Sequence, residues 1–392
     1  MLINGERTQA RNGATFERLN PLDRSVATRA PAATVEDALS AADAAARAFP
    51  AWSVTGPGER RALLLKAAHA LEAKGPAFAA AVAAETGGSG MWAGFNVHLA
   101  AGILLEAAAL TTQISGEVIP SDVPGSLAMG IRQPAGVVLA MAPWNAPVIL
   151  GVRAIATPLA CGNTVVLKAS ELCPATHGLI ADAMEEAGFP PGVVNFVTNA
   201  PADAAAVVEA LIAHPAVRRV NFTGSTRVGK IIAAQCAKHL KPAVLELGGK
   251  APLLVLDDAD LDAAVNATAF GAFANSGQIC MSTERIVVDA KVADAFVAKL
   301  AAKAGSLPVG DPRQGPVVLG SVVDMTTVQR CNALIDDALA KGAKLVCGGK
   351  ADSTLMPATL LDHVTPAMAI YAEESFGPVK PVVRVNGDEE AI

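Results

Sequence analysis

Between residues 135 and 247 the apolar positions alternate between two kinds of run. AGVVLAMAP (135–143), TVVLK (164–168), VVNFV (193–197), VRRVNF (217–222) and AVLEL (243–247) are short and almost continuously apolar, which predicts buried strands. Pro147 to Ala160, Pro174 to Ala187, residues 202–213 and Thr226 to Leu240 carry helical spacing, and the first two open with a proline. Continuous apolar strands separated by helices predict a parallel sheet covered on both faces. Ligands of such sheets bind beyond the carboxyl ends of the strands, so the chemistry is sought there.

The first 110 residues read as mainly helical, with alanine-rich periodic runs at 35–49 and 59–85. Residues 115–134, SGEVIPSDVPGSLAMGIRQP, place turn residues between short alternating segments and predict an extended hairpin arm. A second αβ unit starts at 248, with helices near 260–274, 292–304 and 327–341. The expected division is one αβ domain from 1–114 with 135–247, the hairpin at 115–134, and a second αβ domain from 248–392. No internal repeat and no low-complexity linker interrupts it.

Composition narrows the function. The chain has 392 residues, enough for two or three domains, and is 52% hydrophobic with few aromatics. Its net charge is -6 and its pI about 5.6, with no run of Lys and Arg, which argues against nucleic acid or an anionic membrane as partner. MLINGERTQARNG has no signal-peptide pattern, and every apolar stretch of bilayer length is broken by a charge, Pro or polar residue. Six cysteines without C-x-x-C spacing and six histidines without an H-x-x-x-H pair predict reduced thiols, a cytoplasmic setting and no metal site.

Five stretches fall at strand ends or in tight bends. In APWNAP the Asn145 amide is placed to donate to a developing oxyanion, or to cap the next helix. In VVLKASE, Lys168 and Glu171 suit the hydroxyls of a ribose, or form a surface ion pair. In FTGSTRVG, Gly224 and Ser225 precede a helix whose N-terminus suits a phosphate, or make an ordinary capped turn. Gly224 and Gly229 do not complete a G-x-G-x-x-G pattern. In LELGGK, Glu246 is a candidate general base, or a strand-end charge in solvent. In NSGQICMSTERIVV, Cys280 sits in a polar bend, whereas the other five cysteines lie in alanine-rich or aliphatic company, where a thiol acts as a small hydrophobe.

Taken in order, Asn145, Lys168, Gly224–Ser225, Glu246, Cys280 and EESFGP (373–378) resemble the aldehyde dehydrogenase superfamily, from NP at 20–21 to the end of the chain. The Cys of GQIC stands 34 positions after the Glu of LELGGK, a specific signature. The resemblance implies a Rossmann-like parallel-sheet domain for NAD, an αβ catalytic domain and a hairpin that serves oligomerisation, as a homodimer or tetramer. It implies that Cys280 is the catalytic thiol, Asn145 the oxyanion donor and Glu246 the general base. It assigns Lys168 and Glu171 to the adenosine ribose, and Gly224, Ser225 and Gly229 to the pyrophosphate turn. Glu374 goes to the nicotinamide ribose, Phe376 to the nicotinamide and Trp144 to the cofactor channel. A carboxylate at Glu171 should repel a 2′-phosphate, so NAD is expected over NADP. Acylating relatives that use coenzyme A generally lack the Glu at 246, so hydrolysis is expected.

At two positions where many members are aromatic, this chain has the small Ala146 and the cationic Arg153. With Trp92 they are similar to the salicylaldehyde, vanillin and benzaldehyde dehydrogenase branch, which implies an aromatic aldehyde as substrate. NGDEEAI ends where a helix would start, so the last part of the catalytic domain is expected to be missing. Two other classes stand beside this reading. A cysteine hydrolase or acyltransferase would need a His near Cys280, and no His has a motif that nominates it. A truncated, inactive relative would serve as a nucleotide-binding or structural protein.

Overall fold

The computed structural model describes residues 1–392, which form two compact units. Unit 1 comprises Met1–Arg18, Thr28–Phe78 and Gly94–Glu246; unit 2 comprises Leu19–Ala27, Ala79–Ala93 and Leu247–Ile392. The two short early segments in unit 2 depart from the expected division, which kept all of 1–114 with the first domain.

The N-terminal part supplies β1 (Leu2–Ile3), β2 (Glu6–Arg7), β3 (Thr15–Leu19), β4 (Val26–Pro31), α1 (Val35–Ser53), α2 (Pro57–Ala73), α3 (Gly75–Thr86) and α4 (Gly90–Leu110). The start of α1 is set by a capping box: the Thr34 hydroxyl accepts from Asp37 N–H and the Asp37 carboxylate accepts from Thr34 N–H. By length and composition α4 would suit a bilayer, but it carries Asn96, His98 and Glu106, and Asn96 is wholly buried. The hairpin consists of β5 (Glu117–Ile119) and β6 (Ala128–Gly130), paired antiparallel.

The core of unit 1 then follows as β7 (Val137–Met141), α5 (Pro147–Ala160), β8 (Thr164–Lys168), α6 (Pro174–Ala187), β9 (Val194–Val197), α7 (Ala204–Ala213), β10 (Val217–Thr223), α8 (Thr226–Lys238) and β11 (Ala243–Glu246). Pro147 and Pro174 each open a helix, where the missing N–H costs nothing. Gly188, left-handed at φ 88°, closes α6. The sheet has seven strands in the order β11-β10-β7-β8-β9-β1-β2. The first five strands in that order are parallel, and β7, β8 and β9 are buried at every residue, as helices on both faces require. The expected all-parallel sheet gains an antiparallel edge from β1 and β2, which are two residues each and too short to show a period.

Unit 2 contains β12 (Pro252–Val255), α9 (Leu261–Phe273), β13 (Arg285–Asp289), α10 (Ala290–Gly305), α11 (Met325–Ala340), β14 (Lys344–Cys347), β15 (Thr359–Asp362) and β16 (Val379–Val385). They form a five-stranded sheet in the order β12-β13-β16-β15-β14, parallel except for β14. Asp260, Asp289 and Asp324 cap the three long helices. Phe273, Ile286, Phe296, Leu300 and Val382 fill one side of the core.

Candidate active site

In unit 1 the loop from the end of β7 to the start of α5 carries Trp144, Asn145 and Ala146. Asn145 and Ala146 are buried. The N-cap of α5 is Ala146, so Asn145 lies one position before the cap.

The ends of β7, β8 and β10 open onto a cleft of about 500 Å³ within unit 1. Trp144, Lys168, Glu171, Gly224 and Ser225 line it together with aliphatic Val208, Val228 and Ile231. Lys168 Nζ donates to Glu171 Oε1 at 2.5 Å and to the carbonyl of Ala169 at 2.7 Å. Asn199 donates to the same carboxylate oxygen at 2.9 Å. Burial works to raise the Glu171 carboxyl, but the Lys168 charge and these bonds outweigh it and hold it below the ordinary value. The pair is therefore a largely buried, fixed feature of the cleft wall. Ser225 caps α8, its hydroxyl accepting from Val228 N–H at 3.3 Å. Gly224 leaves room at the same turn, since a β-carbon there would lie 2.5 Å from the Phe222 ring. Gly229 is buried inside α8 and does not line the cleft.

Glu246 is the last residue of β11. Its Oε2 is buried and makes no hydrogen bond within the protein. Arg153, from α5, brings Nη2 within 3.8 Å of that oxygen and donates to Thr223 Oγ1 at 3.1 Å. The cation expected to face substrate thus also faces the candidate base.

In unit 2, Cys280 is half-buried on the loop between α9 and β13. The chain reaches it through three successive left-handed residues, Asn275 (φ 49°), Ser276 (φ 55°) and Gly277 (φ 72°). The two non-glycine residues cost of order 1–3 kcal/mol each and need firm support. Ser276 Oγ donates to Gly320 O at 3.0 Å, Gln278 Oε1 accepts from Val323 N–H at 2.9 Å, and Ser282 Oγ donates to Gly271 O at 2.9 Å. Gly277 is required for space as well: a β-carbon would sit 2.2 Å from the carbonyl oxygen of Gly377. The thiol loop therefore packs backbone to backbone on loop 373–378.

That loop holds Glu374 and Phe376, the latter left-handed at φ 43°. The Glu374 carboxylate lies over the Gly248–Gly249 backbone and accepts from Gly249 N–H at 3.4 Å; a β-carbon on Gly248 would meet it at 2.4 Å. The first glycine of LELGGK is thus explained by close approach, whereas a β-carbon on Gly249 would meet nothing within 4 Å. Burial pushes the Glu374 carboxyl above its ordinary value. Trp92, near the start of α4, is buried, and its backbone N–H donates to Ser89 Oγ at 3.2 Å.

Glu284, which sequence reading passed over, anchors this half. Its carboxylate accepts from Ser375 N–H (2.8 Å), Ser375 Oγ (2.7 Å), Phe376 N–H (3.2 Å), Lys250 Nζ (2.8 Å) and Lys380 Nζ (2.6 Å). Burial alone would raise its pKa, but Lys380 and Lys250 bring it down to about 2. The available signal was a lone acid four residues after Cys280, at the start of an apolar strand. No group of His, Cys, Asp and Glu is arranged to hold a metal ion.

The profile of the aldehyde dehydrogenase family matches residues 8–392. Vanillin dehydrogenase from Pseudomonas fluorescens is 63% identical over 389 residues, covering 99% of this chain and 80% of that protein. A second vanillin dehydrogenase, from Pseudomonas sp. strain HR199, is 62% identical over 392 residues, with 100% and 81% covered. The crystal structure of salicylaldehyde dehydrogenase from Pseudomonas putida G7 complexed with salicylaldehyde superposes with a TM-score of 0.98 at 52% identity, covering 100% of this chain and 81% of that one. Family profile, relatives and fold agree: the chain belongs to the aldehyde dehydrogenase family.

Proposed function

We propose that this aldehyde dehydrogenase oxidises an aromatic aldehyde of the salicylaldehyde, vanillin or benzaldehyde type to its carboxylic acid, with NAD as oxidant. The relatives named for vanillin and salicylaldehyde support the substrate class. The cleft of unit 1 fits a dinucleotide: a carboxylate for a ribose diol, a capped helix N-terminus for a pyrophosphate and aliphatic walls for an adenine. Lys168 and Glu171 would hold the adenosine ribose, Gly224 and Ser225 the pyrophosphate turn, and Glu374 and Phe376 the nicotinamide end. Glu171 disfavours a 2′-phosphate and so favours NAD over NADP. NAD, when bound, supplies the hydride acceptor that brings the aldehyde carbon to the acyl level.

The chain's own residues do the rest. The Cys280 thiolate adds to the carbonyl carbon, and a thiolate rather than a thiol is the competent form. Asn145 donates to the oxygen on which charge develops. The substrate carbon stays on sulfur as a thioester once oxidised. Glu246 takes a proton from water, whose oxygen attacks the thioester and frees the acid and the thiol. Arg153 keeps donors beyond the one spent on Thr223 and is half-exposed, so it is available to a ring hydroxyl or phenolate. The exposed Val118, Ile119, Leu127 and Met129 of the hairpin suit a homo-oligomer. Six free thiols suit the cytoplasm.

One observation carries the hydrolytic reading: Glu246 ends a sheet strand with a buried carboxylate oxygen that no protein donor occupies. Glu246→Gln tests it. Mixed with NAD and 2-hydroxybenzaldehyde, the variant should form about one NADH per thiol in a burst and then turn over roughly 10²–10⁴-fold more slowly than the parent. Normal steady turnover without a burst would remove Glu246 from hydrolysis. Failure of the parent to form NADH with any aromatic aldehyde would overturn the substrate class.

A further inference from the structure

Asn145 and the Lys168–Glu171 loop have been given separate tasks, yet they share a neighbour. His177, the only histidine that the fold buries, lies in the first turn of α6 with none of its surface exposed. Its Nδ1 accepts from the backbone N–H of Ser170 at 3.1 Å, within the Lys168–Glu171 loop. An Nδ1 that accepts leaves the proton on Nε2. The Nε2 side of the ring faces the start of α5, where a β-carbon on Gly151 would lie 3.7 Å from Nε2, and the backbone carbonyls of Pro143 and Pro147 are the acceptors on that side. Those two prolines bracket Trp144, Asn145 and Ala146. The approach is close: a β-carbon on Gly151, in α5, would meet Ile180 Cδ1 at 2.5 Å and His177 Cδ2 at 3.4 Å.

A nucleophilic role for this histidine is excluded by burial. Cys173 Sγ lies 3.7 Å from Nε2, a separation that suits a thiol and its base, but both residues are fully buried and no substrate reaches them. We propose that His177 is a positioning residue, whose neutral imidazole fixes the backbone around Asn145 and couples it to the loop of Lys168 and Glu171. It thereby sets both the oxyanion donor and the adenosine ribose site. This rests on the roles given to those residues above. The titratable groups around it agree with a neutral ring: burial and the charge of Lys168 hold its pKa down to about 4, against the opposing pull of Glu171.

Two conservative variants separate the halves of the device. His177→Asn keeps an acceptor near Nδ1 for Ser170 but loses the donor to the Asn145 loop. His177→Gln keeps a donor near Nε2 but loses the acceptor. Each is read in two ways that need no aldehyde oxidation. Acylation of Cys280 by 4-nitrophenyl acetate without NAD releases 4-nitrophenolate as the thioester forms, and reports the oxyanion donor. Calorimetric titration with NAD reports the ribose site. His177→Asn should slow acylation roughly ten- to a hundredfold, since a small misplacement of a catalytic group is costly, and leave NAD affinity within about twofold. His177→Gln should leave acylation near the parent rate and weaken NAD roughly three- to tenfold, the loss of about one hydrogen bond. If both variants shift both readouts together, in step with their thermal midpoints, His177 is merely structural and the proposal fails. It fails too if neither readout moves, or if the parent's Cys280 is not acylated. NADH formation from aromatic aldehydes by the parent is scored separately. Its absence beside an intact Asn and Gln split would sink the substrate reading and leave the positioning role standing.

Discussion

In unit 1 a neutral imidazole ties the Asn145 loop to the Lys168–Glu171 loop; in unit 2 a carboxylate between two ammonium groups ties loop 373–378 to the strand after Cys280. Both anchors are buried and both bind backbone N–H groups, but their physics differs. His177 meets its partners without carrying charge, so its desolvation cost is small and it adds nothing to the field of a cleft suited to an anion. Glu284 gains strong charge-assisted bonds, but only while all partners are present, because loss of one leaves uncompensated charge in the interior. The neutral anchor should be tolerant and local, and the ionic one brittle.

The largest effect should come from the residue that the ionic anchor serves. Cys280→Ala is expected to reduce aldehyde-dependent NADH formation to background while calorimetric NAD affinity stays within about twofold, since in the proposed mechanism the thiol bonds to substrate and contributes little to a cleft in unit 1. Lost NAD affinity in the folded variant would break the separation of binding from covalent chemistry.

Brittleness is tested next. Glu284→Gln should cost about 3–5 kcal/mol, as two buried ammonium groups lose their counter-charge, whereas His177→Leu should cost about 1–3 kcal/mol for unsatisfied backbone groups. Thermal midpoints of the two variants give the ranking, and equal losses would erase the contrast.

Acid titration sharpens it further. His177 has an unfolded value of 6.5 and about 4 in the fold, so the unfolded chain binds the extra proton first. Its contribution is intact above pH 6.5 and drains away as pH falls toward 4, by on the order of 3 kcal/mol. Glu284 is shifted from 4.5 to about 2, so its contribution is intact above 4.5 and is lost as pH falls toward 2. Stability measured against pH should therefore show two separate acid limbs. His177→Asn should flatten only the upper one; a parent curve that is level from pH 6.5 to 4.5 would contradict the neutral assignment.

The smallest effect is on substrate choice. Arg153→Leu should lower kcat/KM for hydroxybenzaldehydes roughly ten- to a hundredfold and change unsubstituted benzaldehyde much less, through loss of a charge-assisted bond. Equal losses for both substrates would show that Arg153 acts through its neighbours Glu246 and Thr223.

The elements of the unit 1 core were legible wherever proline, glycine and a continuous apolar run punctuated them. Pro147–Ala160, Thr164–Lys168 and Pro174–Ala187 appear with the bounds read from the sequence. The candidate chemical residues Asn145, Glu246 and Cys280 were nominated by short motifs, two of them just at or beyond strand ends and the third on the loop between α9 and β13. What stayed hidden depends on distance along the chain. Leu19–Ala27 and Ala79–Ala93 join unit 2 through packing such as Gly87 on Ser321, which no local period reports. His177 reads as one of several polar residues in a mixed helix, and the backbone it faces beyond Ser170 belongs to residues about thirty positions earlier. Glu284 looks like a strand-end charge until Lys250 and Lys380 arrive from elements 34 and 96 residues away.

The glycine contact beneath the thiol loop has a consequence for genetic suppression. The obstacle to a side chain at Gly277 is the carbonyl oxygen of Gly377 at 2.2 Å, with that of Ala272 at 3.0 Å. Both belong to the main chain, so no second substitution can trim them away, and a defect at Gly277 should have no compensating allele. Gly377 stands differently. Its β-carbon would meet Cys331 Sγ at 2.4 Å, a side-chain atom that Cys331→Ala removes. A selection for revertants should therefore recover second-site changes for Gly377→Ala and only true reversions for Gly277→Ala.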